Sequence, residues 1–163
     1  MDLTQFLELF DPRPGNHYIE VTCSTDAITD ALYELMQSVD GELRIALYDG
    51  VESATQEYYR DATIQQIKNF KQAFRALPRD NDMVLFKDIL HLHSNPKGIL
   101  KIAYTTLANN ANILILQKKG TIVPEELMQL LEEQEFRCAN QIDILQGYDL
   151  IVAKKLHMWG AGL

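Results

Sequence analysis

The sequence predicts an α/β domain built on a mostly parallel sheet, and three observations carry that prediction. Strand-like runs alternate with helical stripes along most of the chain. Two of the runs, DMVLF (Asp82 to Phe86) and ANILILQ (Ala111 to Gln117), lack polar alternation, as do strands buried on both faces of a parallel sheet. The chain closes on RCANQIDIL and YDLIVAKK, two strands joined at a Gln146-Gly147 hairpin turn. Strands alternating with helices of this length imply βαβ units, right-handed crossovers and helices on both faces of the sheet.

The elements follow in order. Leu3, Phe6, Leu7 and Phe10 share one face of a short helix over 3–10, stopped by Pro12, Pro14 and Gly15. HYIEVTC (His17 to Cys23) is the first strand. Ser24, Thr25 and Asp26, all good N-caps, precede a stripe of Ile28, Ala31, Leu32, Leu35, Met36 and Val39 that ends at Asp40-Gly41. ELRIALY (Glu42 to Tyr48) is the second strand, ending at Asp49-Gly50. A polar helical stretch then runs from about Glu52 to Asn69, with a break near Asp61. The segment from Phe70 to Leu77 is the weakest strand candidate, so six or seven strands are expected. Asn95 caps the next helix with Pro96 at its first position, and Pro124 opens another through about Glu135.

The chain has 163 residues, of which 47% are hydrophobic and 23% charged, as befits a single domain over 1–163 with a core from 17 to 155 and a tail from 156 to 163. The net charge of −8 supplies no overall cationic field for a phosphate backbone, so a nucleic-acid partner is not expected. Two cysteines, Cys23 and Cys138, make no disulfide framework. No apolar run approaches a membrane span and MDLTQFLELF lacks a basic leader, so the expectation is a cytoplasmic protein.

In a sheet of this kind the crevice lies beyond the carboxyl ends of the strands, which directs attention to the turns after Cys23, Tyr48 and Phe86. At these places the sequence resembles the class I S-adenosylmethionine-dependent methyltransferases, over roughly residues 17 to 155. ALPRDNDMVLFKDILHLHSNPKGILKIAYTTLANNANILIL is similar to the family's stretch from "LP…FD-hydrophobic" through "LHH" to its fifth strand. EELMQLLEEQEF and YDLIVAKK resemble its last helix and final antiparallel strand. The resemblance implies a Rossmann-like methyltransferase fold with S-adenosylmethionine as the cofactor.

The first motif departs from that pattern. IEVTCSTDAITDAL resembles hydrophobic-D/E-hydrophobic-G-x-G-x-G followed by a helix, with Glu20 on the acidic position and Thr22, Ser24 and Asp26 on the three glycines. Glycine permits positive φ and close approach of a ligand, whereas threonine is β-branched and stiff. Asp26 suits a helix start and would repel the cofactor's carboxylate. Asp49 matches the acidic position that holds the ribose hydroxyls, and reads equally well as a solvated turn. Ala73 stands where an adenine-side Asp is usual, and Asn110-Ala111 replaces the glycine pair before the fifth strand. The resemblance therefore assigns Glu20, Thr22, Cys23, Ser24, Asp26, Asp49, Phe86 and Lys87 to a cofactor site, with binding expected to be weak or absent.

Asp88, His91 and His93 form D-x-x-H-x-H after a buried strand. His91 could serve as a general base oriented by Asp88, or the histidines could be packing and turn residues. Metal binding would need Asp49 or Cys23 as a further ligand, which the spacing does not demand, so no metal is expected. Cys23 reads as a thiolate nucleophile or, more simply, as a small core residue. Tyr58, Tyr59 and Arg60 read as a helix face between Glu57 and Asp61 rather than a nucleic-acid patch. Met158 and Trp159, beyond the last strand, read either as a contact with a protein partner or a second copy, or as a tail folded back over the sheet. Two functional readings follow: a methyltransferase-like protein that has lost or weakened its cofactor and works as an interaction protein, and an active methyltransferase acting on a small molecule through a glycine-free loop.

Overall fold

The computed structural model describes residues 1–49 and 52–156. Seven strands form one sheet in the order β3-β2-β1-β4-β5-β7-β6. These are β1 (His17–Thr22), β2 (Glu42–Tyr48), β3 (Thr63–Ile67), β4 (Asn81–Lys87), β5 (Leu107–Lys118), β6 (Arg137–Ile142) and β7 (Tyr148–Lys154). The first five pair in parallel, and β7 runs antiparallel to both β5 and β6. The fold is therefore the mostly parallel, Rossmann-like sheet expected from the alternating runs, with seven strands.

Helices cover both faces. On one side α1 (Thr4–Leu7), α2 (Ala27–Ser38) and the end of α3 (Glu52–Tyr58) enclose Phe6, Ile28, Leu32, Met36, Tyr59, Ile45 and Leu85. On the other, α4 (Pro96–Thr106) and α5 (Pro124–Glu133) enclose Ile99, Leu100, Leu127, Leu131, Val84 and Ile115. Val84, Leu85, Ile113 and Ile115 all have 0% exposure, which is why their strands read as unbroken apolar runs. Gly147 turns the hairpin at φ 84°, a value that costs glycine nothing.

Several elements differ from the sequence expectation. Helix α1 spans Thr4–Leu7 rather than 3–10, although Phe10 still packs edge-on against Phe6. Helix α3 stops at Tyr58, and the third strand is Thr63–Ile67, while 70–77 contains no strand. TIQQI carries two isoleucines three apart, a spacing that reads as helix. At a sheet edge Gln65 and Gln66 are tolerated, and Gln65 is used. Its side-chain carbonyl accepts the Arg75 N–H at 2.7 Å and its amide donates to the Arg75 carbonyl at 2.8 Å, seating the following segment. Finally, β5 begins at Leu107, with Asn110 at φ 68° beside the register shift near Asn81. No helix among the described residues is long and apolar enough to cross a membrane. Met158 and Trp159 lie outside the described residues.

Candidate functional site

Strand order reverses between β1 and β4, so the crevice of such a sheet opens beyond Thr22 and Lys87, which are paired in register. The connection from β1 into α2 is built on local hydrogen bonds. The Thr22 hydroxyl donates to the Ser24 carbonyl at 2.8 Å and accepts the Ser24 N–H at 3.2 Å. Asp26 is the N-cap of α2, accepting from the N–H groups of Ile28 and Thr29, while the Thr29 hydroxyl accepts the Asp26 N–H in a reciprocal capping box. None of residues 22–26 has a positive φ. Thr22, Ser24 and Asp26 thus occupy a loop whose backbone asks nothing special of glycine.

Lys87 turns into this loop. Its side chain is 2% exposed and its Nζ donates to Glu20 Oε2 at 2.9 Å, Asp26 Oδ1 at 2.8 Å and Thr29 Oγ1 at 3.2 Å. An ammonium has three protons, and all three are used. Glu20 is fully buried; its Oε2 also accepts from the Thr29 hydroxyl at 2.8 Å, while its Oε1 has no partner. Burial pushes the Glu20 carboxyl above its ordinary value, and Lys87 and Thr29 only partly offset it. Burial also pulls on Lys87 in the direction of neutrality, but the charge of Glu20 and the bond to Asp26 outweigh it and raise the ammonium. The two directions oppose each other across one contact. The geometry decides for the charged pair, because two carboxylate oxygens lie within hydrogen-bonding distance of one nitrogen.

The other expected residues are dispersed. Asp49 sits at the end of β2 with φ 56° and an exposed side chain. Phe86 has 0% exposure and packs edge-on against Phe74, so its ring belongs to the core. Cys23 is half-buried, and its thiol is raised by burial and by Asp88, which favours the uncharged form over a nucleophilic thiolate. Asp88, at φ 56°, accepts the Lys118 N–H at 2.8 Å and thereby ties the end of β4 to β5. His91 is exposed and contacts Gln117 Nε2 through its Nδ1 at 3.0 Å. Among the described residues no hydrogen bond joins Asp88 to His91. His93 is buried, its Nδ1 accepting the Asn95 N–H and its Nε2 meeting the Gln72 carbonyl at 3.0 Å. No group of three His, Cys, Asp or Glu residues that could hold a metal occurs among the described residues.

Gln117 and Tyr148 were not expected here. Gln117 is fully buried with Oε1 unpartnered, and Tyr148 is raised by burial and by Asp88. Gln117 ends the ANILILQ run, and a polar residue closing such a run was the available signal. Tyr59 donates to Asp30 at 2.6 Å and packs against Tyr33 and Tyr58, consistent with a helix-packing role.

No protein-family model matches the chain, and neither does any curated protein. Solved structures do. A SAM-dependent methyltransferase from Aquifex aeolicus superposes with a TM-score of 0.73 at 15% identity, covering 95% of this chain and 90% of that one. The CurJ carbon methyltransferase gives 0.73 at 15% identity over 93% of this chain, which spans 51% of the CurJ chain. Phosphoethanolamine N-methyltransferase 2 of Haemonchus contortus, solved with S-adenosyl-L-methionine, gives 0.71 at 10% identity, over 94% of this chain and 52% of that one. The fold is that of the class I S-adenosylmethionine-dependent methyltransferases.

Proposed function

We propose that this chain is a methyltransferase-like protein whose S-adenosylmethionine binding is lost or severely weakened, and that it acts as a binding or interaction protein. The observation that carries the reading is the Lys87 ammonium, held between Glu20 and Asp26 at the strand-order reversal. S-adenosylmethionine brings an ammonium, a sulfonium and a carboxylate. Its cationic groups would meet carboxylates already neutralised by Lys87, and its carboxylate would meet a helix start whose N–H groups are already capped by Asp26. The residues at the first loop do not fit this cofactor.

Losing one backbone hydrogen bond to a charged group costs about 1.5–3 kcal/mol, and the lost attraction of its ammonium to carboxylates that Lys87 already holds brings the total to about 3–5 kcal/mol. That is about 200- to 5,000-fold, enough to move a micromolar binder to the millimolar range. Calorimetric titration with S-adenosylmethionine and S-adenosylhomocysteine at about 100 µM is expected to show no binding. Combined Thr22→Gly, Ser24→Gly and Asp26→Gly is expected to recover part of the affinity while lowering the stability of α2. A dissociation constant in the low micromolar range for the unmodified chain would overturn the reading. It would favour the alternative, an active methyltransferase with a glycine-free loop, to which Asp49 at the end of β2 and the unpartnered Glu20 Oε1 lend support.

A further inference from the structure

The charge of this chain is segregated. Residues 62–123 hold nine lysines and arginines against three acidic residues, and the rest of the chain holds six against twenty. From Ala62 to Arg79 there are four basic residues and no acidic one. The fold gathers part of this excess on one face. Gln65 fixes the Arg75 backbone against β3, and the Arg79 N–H donates to the Thr105 carbonyl at 3.0 Å, docking the 75–79 segment against the end of α4.

Two hollows flank that segment. One, of about 590 Å³, is lined by Arg75, Ala76, Leu77, Ile19, Arg44 and Asp80 among others. The second, of about 250 Å³, shares Ala76 and is completed by Gly98, Lys101, Ile102 and Thr105. The acidic residues within reach are already used. Glu42 and Asp80 both bind Arg44, at 2.6 and 2.7 Å, and Asp82 accepts the His17 N–H. Arg75, Arg79 and Lys101 are exposed and enter no salt bridge among the described residues. Between them Leu77 is 68% exposed, and Arg79 holds φ 51°, a conformation that a long side chain rarely adopts.

We propose that this face, the 75–79 segment with the exposed side of α4, is a docking surface for an acidic amphipathic segment of a partner protein. An apolar centre with a rim of unpaired cations is the complement of such a segment. Single-stranded nucleic acid, which relies on stacking against aromatic side chains, finds none among the residues lining the two hollows. The proposal builds on the interaction-protein reading but uses the amino-terminal end of the sheet, away from Lys87. Binding of S-adenosylmethionine would overturn that reading and leave this surface standing.

The test uses the whole chain and three labelled probes in fluorescence anisotropy at low salt. They are a helical peptide with Glu and Leu at helix spacing, the same peptide with Lys for Glu, and a 14-nucleotide oligothymidylate. The Glu-Leu peptide is expected to bind, to weaken about tenfold or more in Arg75→Glu/Lys101→Glu, and to weaken less than about threefold in the charge-matched Arg13→Glu/Arg60→Glu. Arg75→Gln/Lys101→Gln, with thermal unfolding measured alongside, gives the same answer if charge reversal disturbs folding. Tighter binding of the oligothymidylate would overturn the proposal for a nucleic-acid surface. Absence of Glu-Leu binding, or equal loss in both charge-reversed pairs, would overturn it outright.

Discussion

Replacing Lys87 by methionine removes the cation while keeping much of its apolar stem. Glu20 then faces a buried site with no neutralising charge, its Oε1 already unpartnered and its Oε2 left with the Thr29 hydroxyl. Breaking a buried pair on one side costs about 3–5 kcal/mol, because the remaining charge stays desolvated. For a chain of this size that lowers Tm by about 6–20 °C. Adding Glu20→Gln removes the stranded charge, and the double variant is expected to recover more than half of the loss, since exchanging both partners for neutral groups is close to neutral.

The pH dependence provides a second readout with a definite sign. In the wild type Lys87 is raised above its ordinary 10.5, so its stabilisation is complete below that value and is lost as pH rises through the folded value. In Lys87→Met the carboxyl of Glu20, already raised from 4.5 by burial, loses the ammonium that restrained it. A carboxyl raised in the folded state disfavours folding above that raised value. The deficit of Lys87→Met is therefore largest near neutrality and shrinks on acidification, as Glu20 protonates first in the variant. Urea unfolding followed by circular dichroism at pH 7 and pH 5 measures both quantities. A deficit below about 1 kcal/mol at pH 7, or one that does not shrink toward pH 5, would refute the reasoning.

Two further outcomes are expected. Asp26→Ala removes both the α2 cap and the ion pair to Lys87 and should cost at least about 1–2 kcal/mol, while Asp26→Asn, which loses the ion pair but keeps a capping oxygen, should cost less, as read from urea unfolding; equal losses would remove the capping argument. In the D-x-x-H-x-H stretch His93→Ala should cost about 1–3 kcal/mol and His91→Ala within about 0.5, and the reverse order in thermal unfolding would contradict the roles assigned to the two rings.

The strands buried on both faces were legible because burial leaves a plain trace in composition. Asp82 to Phe86 and Ala111 to Gln117 tolerate little that is polar, and the Gln146-Gly147 turn is fixed by a residue free to adopt φ 84°. The cap at Asp26 was legible for a similar reason, since its contacts are local in sequence. β3 was not. An edge strand may be polar, and its partner segment is held by a glutamine side chain, an interaction that leaves no periodicity. Lys87 was named among the cofactor-site residues, but its ion pairs to Glu20 and Asp26 were not legible. Its contacts span 61 residues to Asp26 and cross between strands to Glu20. The available signal was a pair of opposite charges, Glu20 between Ile19 and Val21 and Lys87 after the apolar run from Met83 to Phe86.

Asp26 and the buried Lys87 belong to one hydrogen-bonded network around Thr29 and Glu20, entered through the turn of Thr22 and Ser24. Thr22 closes a local turn with Ser24, Asp26 caps α2 and binds Lys87, and Thr29 binds Asp26, Glu20 and Lys87 together. Substituting glycine at 22, 24 and 26 frees the backbone and removes one carboxylate, yet leaves the Lys87 ammonium against Glu20. A cofactor ammonium entering there would still have to displace an internal one that is bound at no translational cost, a competition set by effective concentration rather than contact quality. Partial recovery is thus the ceiling for the triple glycine variant. Adding Lys87→Met to it frees Glu20 for an external cation and is expected to bind S-adenosylmethionine at least tenfold more tightly than the triple variant, about 1.4 kcal/mol. Calorimetry on the two side by side decides this. Equal affinities would mean that Lys87 serves only the fold and does not oppose the cofactor.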